Sequence, residues 1–396
     1  MSPPSTGPGQ RPSGAGASLP DLTAAEIYRY SRHLILPHVG PEGQRRLKAA
    51  RVLVVGAGGL GSPAALYLAA SGIGRLGLVD FDAVDETNLH RQVLHGSAAI
   101  GMAKLTSAEA RLRDLNPHVE ILTHDGRLTS QNALNVLRDY DVVIDGSDNF
   151  PTRYLVNDAC VLLRIPYVYG AVFRFDGQVS VFSTPDGPCY RCLFRDPPPP
   201  ELVPSCDEAG VLGVVPGIVG TLQALEATKL VLGVGETLAG RLVLFNALTT
   251  EFRELAVRRD RACPVCGDAP TIVELIDYEA FCGAEPVPAE PALEVSALAL
   301  ARELETNPDL LLVDVREPME WEICRIARAT LVPLGSLAQR LGELDPARDI
   351  VTVCHHGVRS LRAVHVLKGA GFPRARSLRG GVEAWADDVD PMMPRY

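Results

Sequence analysis

The run RVLVV (51–55), rich in β-branched residues, ends directly in GAGGLG (56–61), and an amphipathic stretch from Ser62 to Ser71 follows. A buried strand that turns on glycines into a helix is half of a βαβ unit, so a parallel sheet covered by helices is required. RLGLVD (75–80) reads as a second strand and DVVID (141–145) as a later one. The expected fold class is α/β, with a Rossmann-like nucleotide-binding domain built on a mostly parallel sheet.

The alternation runs from Asp21 to Asp277 and restarts near residue 291, where LLLVDV (310–315) and DIVTVC (349–354) are strands and Ser360–Ala370 is a helix. Between them GAEPVPAEP (283–291) has linker composition. The organisation expected is therefore a tail over 1–20, a first domain over 21–277, a linker over 278–290 and a smaller α/β domain over 291–396. The tail carries five Pro, four Gly and four Ser and no apolar core, so it reads as disordered and not as a signal peptide. Inside the first domain, residues 195–217 are punctuated by Pro and Gly and read as a long irregular loop.

Charge excludes one class of partner. The chain has a net charge of −10 and both parts are acidic, so no nucleic-acid partner is expected. No run of 18 apolar residues occurs, and the stretch near Val211–Leu222 is interrupted by Pro216, so no membrane span is expected. Nine cysteines without an export signal point to a reducing, cytoplasmic compartment.

GAGGLG fits the dinucleotide-type phosphate turn. Gly56 permits the tight turn, Gly58 lets a pyrophosphate approach the backbone, and Gly61 lets helix and strand pack closely. Asp80 closes the next strand, where a carboxylate can hold ribose hydroxyls. Arg91 and Lys104 supply charge suited to a triphosphate, and Asp148 and Asn149 follow a strand end where Mg²⁺ on phosphates would need a carboxylate. Taken singly, Arg91 and Lys104 read first as solvated surface charges. Cys189, Cys192, Cys263 and Cys266 form two CxxC pairs, the pattern of a structural zinc site with no open ligand position. Cys160 reads as a core residue; Cys282 and Cys324 carry no motif.

RYSRHLIL (29–36), GAGGLG, LVDFD (78–82), TNLHRQ (87–92), GMAK (101–104), DGSDN (145–149), CYRC (189–192) and CPVC (263–266) stand in one order. Together they resemble the MoeB/ThiF branch of the ubiquitin-activating-enzyme superfamily, over residues 21–277. The resemblance implies that Gly59, Asp80, Thr87, Asn88, Leu89, His90, Arg91, Lys104, Asp148 and Asn149 contact ATP. It also implies a homodimer in which Arg32 reaches the neighbouring protomer's active site. The implied reaction is adenylation of the C-terminal carboxylate of a small ubiquitin-like sulfur-carrier protein ending in Gly-Gly. PSCDEAG (204–210) aligns with that family's loop cysteine, which makes Cys206 a candidate nucleophile; on its residues alone it reads as inert.

CHHGVRS (354–360) follows a strand and opens a helix. Backbone N–H groups and a helix N-terminus then favour a thiolate at Cys354, and Arg359 offers a cation and a planar fork to an anionic substrate. His355 and His356, taken as exposed, add charge only when protonated. Four residues separate Cys354 from Arg359, and VDVREPMEWEICRI (313–326), PLGSL (333–337) and GGVEAW (380–385) accompany the loop. This resembles a rhodanese domain, whose cysteine carries sulfur as a persulfide; Asp314 and Arg316 are assigned to holding the fold. Arg328 departs from the resemblance, standing where a small glycine is usual. The pair of domains resembles the fused adenylyltransferase–sulfurtransferases of the MoeZ type. The sulfur donor, thiosulfate or a cysteine desulfurase, and the pathway served (molybdopterin, thiamine, cysteine, tRNA thiolation or thiosugar products) stay open. Other readings are a carrier thioester at Cys206 for protein conjugation, an NAD-dependent oxidoreductase with a regulatory rhodanese module, and a non-catalytic carrier-binding scaffold.

Overall fold

The computed structural model describes residues 18–198, 210–283 and 293–396. Most of the expected tail, the end of the expected linker and Cys206 lie outside them. The chain divides into two compact units between residues 285 and 286.

The first unit is built on an eight-stranded sheet. Its strands are β1 (Arg51–Val55), β2 (Arg75–Asp80), β3 (Glu120–Asp125), β4 (Val142–Asp145), β5 (Tyr167–Phe173), β6 (Asp176–Phe182), β7 (Arg241–Asn246) and β8 (Glu251–Ala256). The order is β3-β2-β1-β4-β5-β6-β7-β8. Pairs from β3 to β5 are parallel, and β5 to β8 continue as antiparallel neighbours. The antiparallel half was not legible in the motifs. Val55 lies opposite Val79 on one side and Asp145 on the other. β1 and β4 are thus neighbours although β2 and β3 intervene in the chain, which makes their carboxyl ends the switch point where a crevice opens.

The helix Gly61–Ser71 is buried round most of its circumference instead of being amphipathic, because the helix Val214–Leu232 covers it. That second helix corrects the expected loop, whose last four residues are its first turn. Pro216 sits there because an N-terminal turn needs no intrahelical N–H bond. Among the described residues this helix alone is long and apolar enough to cross a membrane. It packs inside the unit instead: buried Gln223 donates to Asp145 O at 2.6 Å and Val168 O at 3.2 Å, and buried Glu226 accepts from Leu238 N at 2.8 Å.

Two edges differ from the expected boundaries. Residues 19 and 20 are fastened, since Arg45 donates to Leu19 O at 2.7 Å and Pro20 O at 3.2 Å. Tyr278–Phe281, placed in the linker, forms a short helix. Tyr278 is buried and its hydroxyl donates to Asp158 Oδ2 at 2.9 Å, beside the fully buried Asp158–Arg191 pair.

The second unit holds β9 (Glu294–Val295), β10 (Leu311–Asp314), β11 (Ala329–Leu331), β12 (Ile350–Val353) and β13 (Ala375–Leu378). All pairs are parallel, in the order β11-β10-β12-β13-β9. Its switch point lies between β10 and β12. Asp314 and Arg316 are fully buried and joined by bonds of 2.7–3.1 Å, as their structural assignment expected.

Arg328 has φ +69°, the left-handed region that favours glycine. Its guanidinium donates to Leu304 O at 2.6 Å and Pro308 O at 2.9 Å, and so holds a turn that its backbone disfavours. Arg328→Ala keeps the strained backbone and loses both bonds, whereas Arg328→Gly loses the bonds and relieves the strain. The glycine variant is expected to be the more stable of the two by about 1 kcal/mol, the reverse of the usual order. The two tryptophans, Trp321 and Trp385, both lie in this unit, so denaturant unfolding followed by their fluorescence reads the difference.

Candidate functional sites: a glycine-lined cavity and a cysteine loop

At the switch point of the first unit lies a cavity of about 870 Å³. Gly56, Gly58, Gly59, Asp80, Arg91, Lys104, Asp148 and Asn149, all named from the sequence, line it together. Gly56 has φ +91°, and a Cβ there would come within 2.9 Å of Gly146 O. A Cβ on Gly61 would overlap Gly56 O, so Gly61 serves the strand–helix contact and does not face the cavity. Gly58 differs. An added Cβ meets only Gln92 Nε2 at 3.7 Å, leaving a face that a ligand can approach.

Asp80 holds the turn. Oδ2 accepts from Ala57 N at 2.7 Å, and Oδ1 accepts from Phe81 N at 2.8 Å and Asp82 N at 2.9 Å. Each oxygen has two lone pairs, so capacity for a ribose hydroxyl remains on Oδ2. Lys104 is almost fully buried and pairs with Asp82 Oδ2 at 2.9 Å. Asn149 also caps the helix Phe150–Leu163, its Oδ1 accepting from Thr152 N at 2.9 Å.

Four expected contacts are not on the cavity wall. Thr87 and Asn88 belong to a 3₁₀ turn, and Leu89 and His90 follow it; of TNLHRQ only Arg91 and Gln92 line the cavity. The turn closes on itself, with His90 Nδ1 2.9 Å from Thr87 O. Arg32 is exposed on the short helix Ser31–Leu34 and is likewise absent from the wall.

Gln92 joins the wall from TNLHRQ, and Ser147 and Arg153 line it without a role assigned from the sequence. Gln92 Oε1, Ser147 Oγ and Arg153 Nε are buried on this wall and have no hydrogen-bond partner among the described residues. Behind them Asp145 accepts from Tyr167 Oη at 2.6 Å and Ser147 N at 2.8 Å. Burial pushes its carboxyl above the ordinary range, with Arg153 pulling the other way. The signal for Arg153 was available: Asn149 as cap, Pro151 in the first turn, and Arg153 within it, at a strand end already assigned to ligand.

Cys189, Cys192, Cys263 and Cys266 converge, with all four sulfurs within 4.8 Å of one another. Sγ separations are 3.5 Å for 189–263, 3.3 Å for 192–266 and 3.9 Å for 189–192. A tetrahedral site with Zn–S of about 2.3 Å has edges of about 3.8 Å, so the donor set and its spacing fit zinc. Cys160 is fully buried in the core, and burial raises its thiol pKa.

In the second unit, Cys354 follows β12 and is buried. Gly357, at φ +96°, turns the chain so that its N–H donates to Cys354 Sγ at 3.1 Å; Ser360 Oγ lies 3.3 Å away. The loop folds tightly because Gly381 permits it: a Cβ there would overlap the carbonyls of Cys354 and His355. His355 corrects the expectation of an exposed residue. It is buried between the rings of His356 (3.9 Å) and Tyr396 (4.2 Å), and burial first, then His356, lowers its pKa to about 4, so it is neutral at pH 7. Arg359 also differs from expectation. Its fork is taken by Glu320, with both bonds at 2.7 Å, and Tyr396 Oη donates to the same carboxylate at 2.9 Å. Burial alone would raise the Glu320 pKa, but Arg359 and Glu317 N hold it below the usual range. Glu320 stands within the stretch 313–326 but was given no role there, and Tyr396 lies in no motif.

A glycine turn at the switch point of one sheet and a cysteine loop at that of another define a nucleotide-binding α/β protein with a thiol-bearing second unit. The ThiF family model matches residues 30–265 and the rhodanese-like domain model residues 296–388; the chain belongs to the ThiF family and carries a rhodanese-like domain. It is 47% identical over 384 residues to the "probable adenylyltransferase/sulfurtransferase MoeZ" of Mycobacterium tuberculosis, covering 95% of this chain and 96% of that one. It is also 47% identical over 391 residues to the "adenylyltransferase and sulfurtransferase MOCS3" of Drosophila yakuba, covering 95% and 86%. Among solved structures, E. coli MccB shares the fold with a TM-score of 0.55, at 23% identity over 61% of this chain and 75% of that one.

Because a methyl group on Gly58 meets no atom of the described residues beyond its chain neighbours closer than 3.7 Å, Gly58→Ala should unfold with the unchanged protein. It should nevertheless weaken ATP binding at least about tenfold by calorimetry. Gly61→Ala, with no room, should lose stability as well.

Proposed function

We propose that this chain adenylates the C-terminal Gly-Gly carboxylate of a small ubiquitin-like sulfur-carrier protein and then converts it to a thiocarboxylate. The observation that carries the reading is the presence, in one polypeptide, of a glycine-lined cavity with Arg91 and Lys104 on its wall and a strand-end cysteine that accepts a backbone N–H. Adenylation needs no base, because the attacking carboxylate is already ionised at neutral pH. The difficulty is instead that two anions must meet.

Arg91 and Lys104 screen that repulsion and stabilise charge on the α-phosphate, joined by Arg32 of the partner subunit in a homodimer. Gly56, Gly58 and Gly59 admit the phosphates to the backbone, and Asp80 takes the ribose. Asp148 is the carboxylate that would hold Mg²⁺, which when bound screens phosphate charge. The carrier carboxylate oxygen attacks the α-phosphorus, and pyrophosphate leaves. The terminal sulfur of a Cys354 persulfide then attacks the acyl carbon, and AMP leaves with the bridging oxygen. Cys206 attacks the Cys354 sulfur of the resulting acyl-disulfide, releasing the thiocarboxylate and leaving a Cys206–Cys354 disulfide for an external thiol to reduce. Cys189, Cys192, Cys263 and Cys266 would hold zinc as four thiolates, leaving no open position and no catalytic role. A cytoplasmic setting suits these thiols, and all eight described cysteines are free.

Incubation with ATP, Mg²⁺, thiosulfate and a carrier ending in Gly-Gly should exchange one carrier oxygen for sulfur, read by intact mass. Cys354→Ala should abolish the exchange while leaving ATP–pyrophosphate exchange in place. A carrier left unshifted by thiosulfate and by methanethiosulfonate alike, despite pyrophosphate exchange, would contradict the sulfur-transfer half.

A further inference from the structure

The Cys354 loop does not present the free cation that an oxyanion donor would seek. Arg359 and Glu320 have side chains only 12% and 10% exposed and share two bonds of 2.7 Å. Every role of that carboxylate is filled. Oε1 accepts from Arg359 and from Tyr396 Oη at 2.9 Å, and Oε2 accepts from Arg359 and from Glu317 N at 2.8 Å. Tyr396 is itself held. Its hydroxyl accepts from Arg316 at 2.8 Å, its ring lies on His355, and the adjoining Met393 is buried in the core. The pair spans the switch crevice, Glu320 standing on the helix Pro318–Ile323 after β10 and Arg359 on the helix Val358–Gly369 after β12. Glu320 therefore cannot swing away without breaking four bonds.

We propose that Glu320, locked by Tyr396, is a specificity-determining residue that makes the loop discriminate against dianionic sulfur donors in favour of donors with one negative charge, the class to which a partner thiol's persulfide belongs. The proposal rests on Cys354 being the sulfur-accepting thiol. The chemistry is the same for either donor: the Cys354 thiolate attacks the sulfane sulfur, forming Cys354–S–S⁻. The bond to the donor breaks, and its electron pair leaves with sulfite, a sulfinate or a thiolate. Only the charge brought into the crevice differs. A dianion gains from an uncompensated guanidinium and loses that gain when a carboxylate sits 2.7 Å from it. His355 does not restore the charge, being neutral at pH 7.

Thiosulfate and methanethiosulfonate provide the test, since both offer a terminal sulfane sulfur on a tetrahedral sulfur and differ by one charge. Using the full chain with cyanide as acceptor, kcat/KM is measured for each donor from thiocyanate formed. The unchanged protein should favour methanethiosulfonate. Glu320→Gln, of equal size, should move the ratio toward thiosulfate at least about tenfold, chiefly through KM. Tyr396→Phe should move it in the same direction by less, and Glu320→Asp, which keeps the charge, should leave the unchanged protein's preference in place. A general loss of packing would lower both rates and leave the ratio unmoved, so an unmoved ratio in Glu320→Gln overturns the proposal. If neither donor yields thiocyanate or a Cys354 persulfide by peptide mass, sulfur transfer itself fails and the charge discrimination falls with it.

Discussion

Glycine at a strand-to-helix turn, where no side chain can fit, is the constraint on which both halves of the molecule depend. In the first unit Gly56 takes a left-handed conformation and Gly61 lies against its carbonyl; in the second Gly357 does the turning and Gly381 lies against the carbonyls of Cys354 and His355. Each turn sits at the point where its sheet reverses the order in which strands are added, so each opens onto a crevice between neighbouring strand ends. What the crevice holds differs. One turn presents bare backbone to a cavity, and the other directs a backbone N–H at sulfur.

Electrostatics divides the two sites further. In the cavity of the first unit Arg91, Lys104 and Arg153 share the wall with Asp80, Asp82 and Asp148. Lys104 is buried and leans on the half-exposed Asp82, while Gln92, Ser147 and Arg153 present polar atoms that no group among the described residues satisfies. Buried polar atoms left in this way are costly unless a ligand meets them, which is consistent with a site completed by its substrate. Around Cys354 the opposite holds. Arg359, Arg316 and their carboxylates satisfy one another, and Cys354 is buried at the base of a loop whose His356 and Val358 are exposed.

Much of this was legible in the chain. Runs such as RVLVV and DVVID mark buried strands, and glycine spacing marks the turns, because both follow from local sterics. The two CxxC pairs announced their convergence, since four thiols in such knuckles have few other uses. What stayed hidden depends on contacts distant in sequence. Glu320 and Arg359 are 39 residues apart and Tyr396 lies a further 37 along, so no local pattern joins them. The antiparallel strands β6 to β8 carry no motif. The apolar stretch around Pro216 reads as a loop until its first-turn position in a core helix is known. TNLHRQ shows the converse: a motif in its expected place whose first four residues fold into a turn and leave Arg91 and Gln92 to face the cavity.

The central claim is that a carrier carboxylate oxygen is transferred to AMP before sulfur takes its place, and oxygen labelling tests it most directly. A carrier with both terminal carboxylate oxygens replaced by ¹⁸O is turned over once with ATP and a sulfane-sulfur donor, and the AMP is analysed by mass. AMP bearing one ¹⁸O, with a thiocarboxylate that keeps the other, is the predicted result. Unlabelled AMP, or ADP with labelled phosphate, would contradict it.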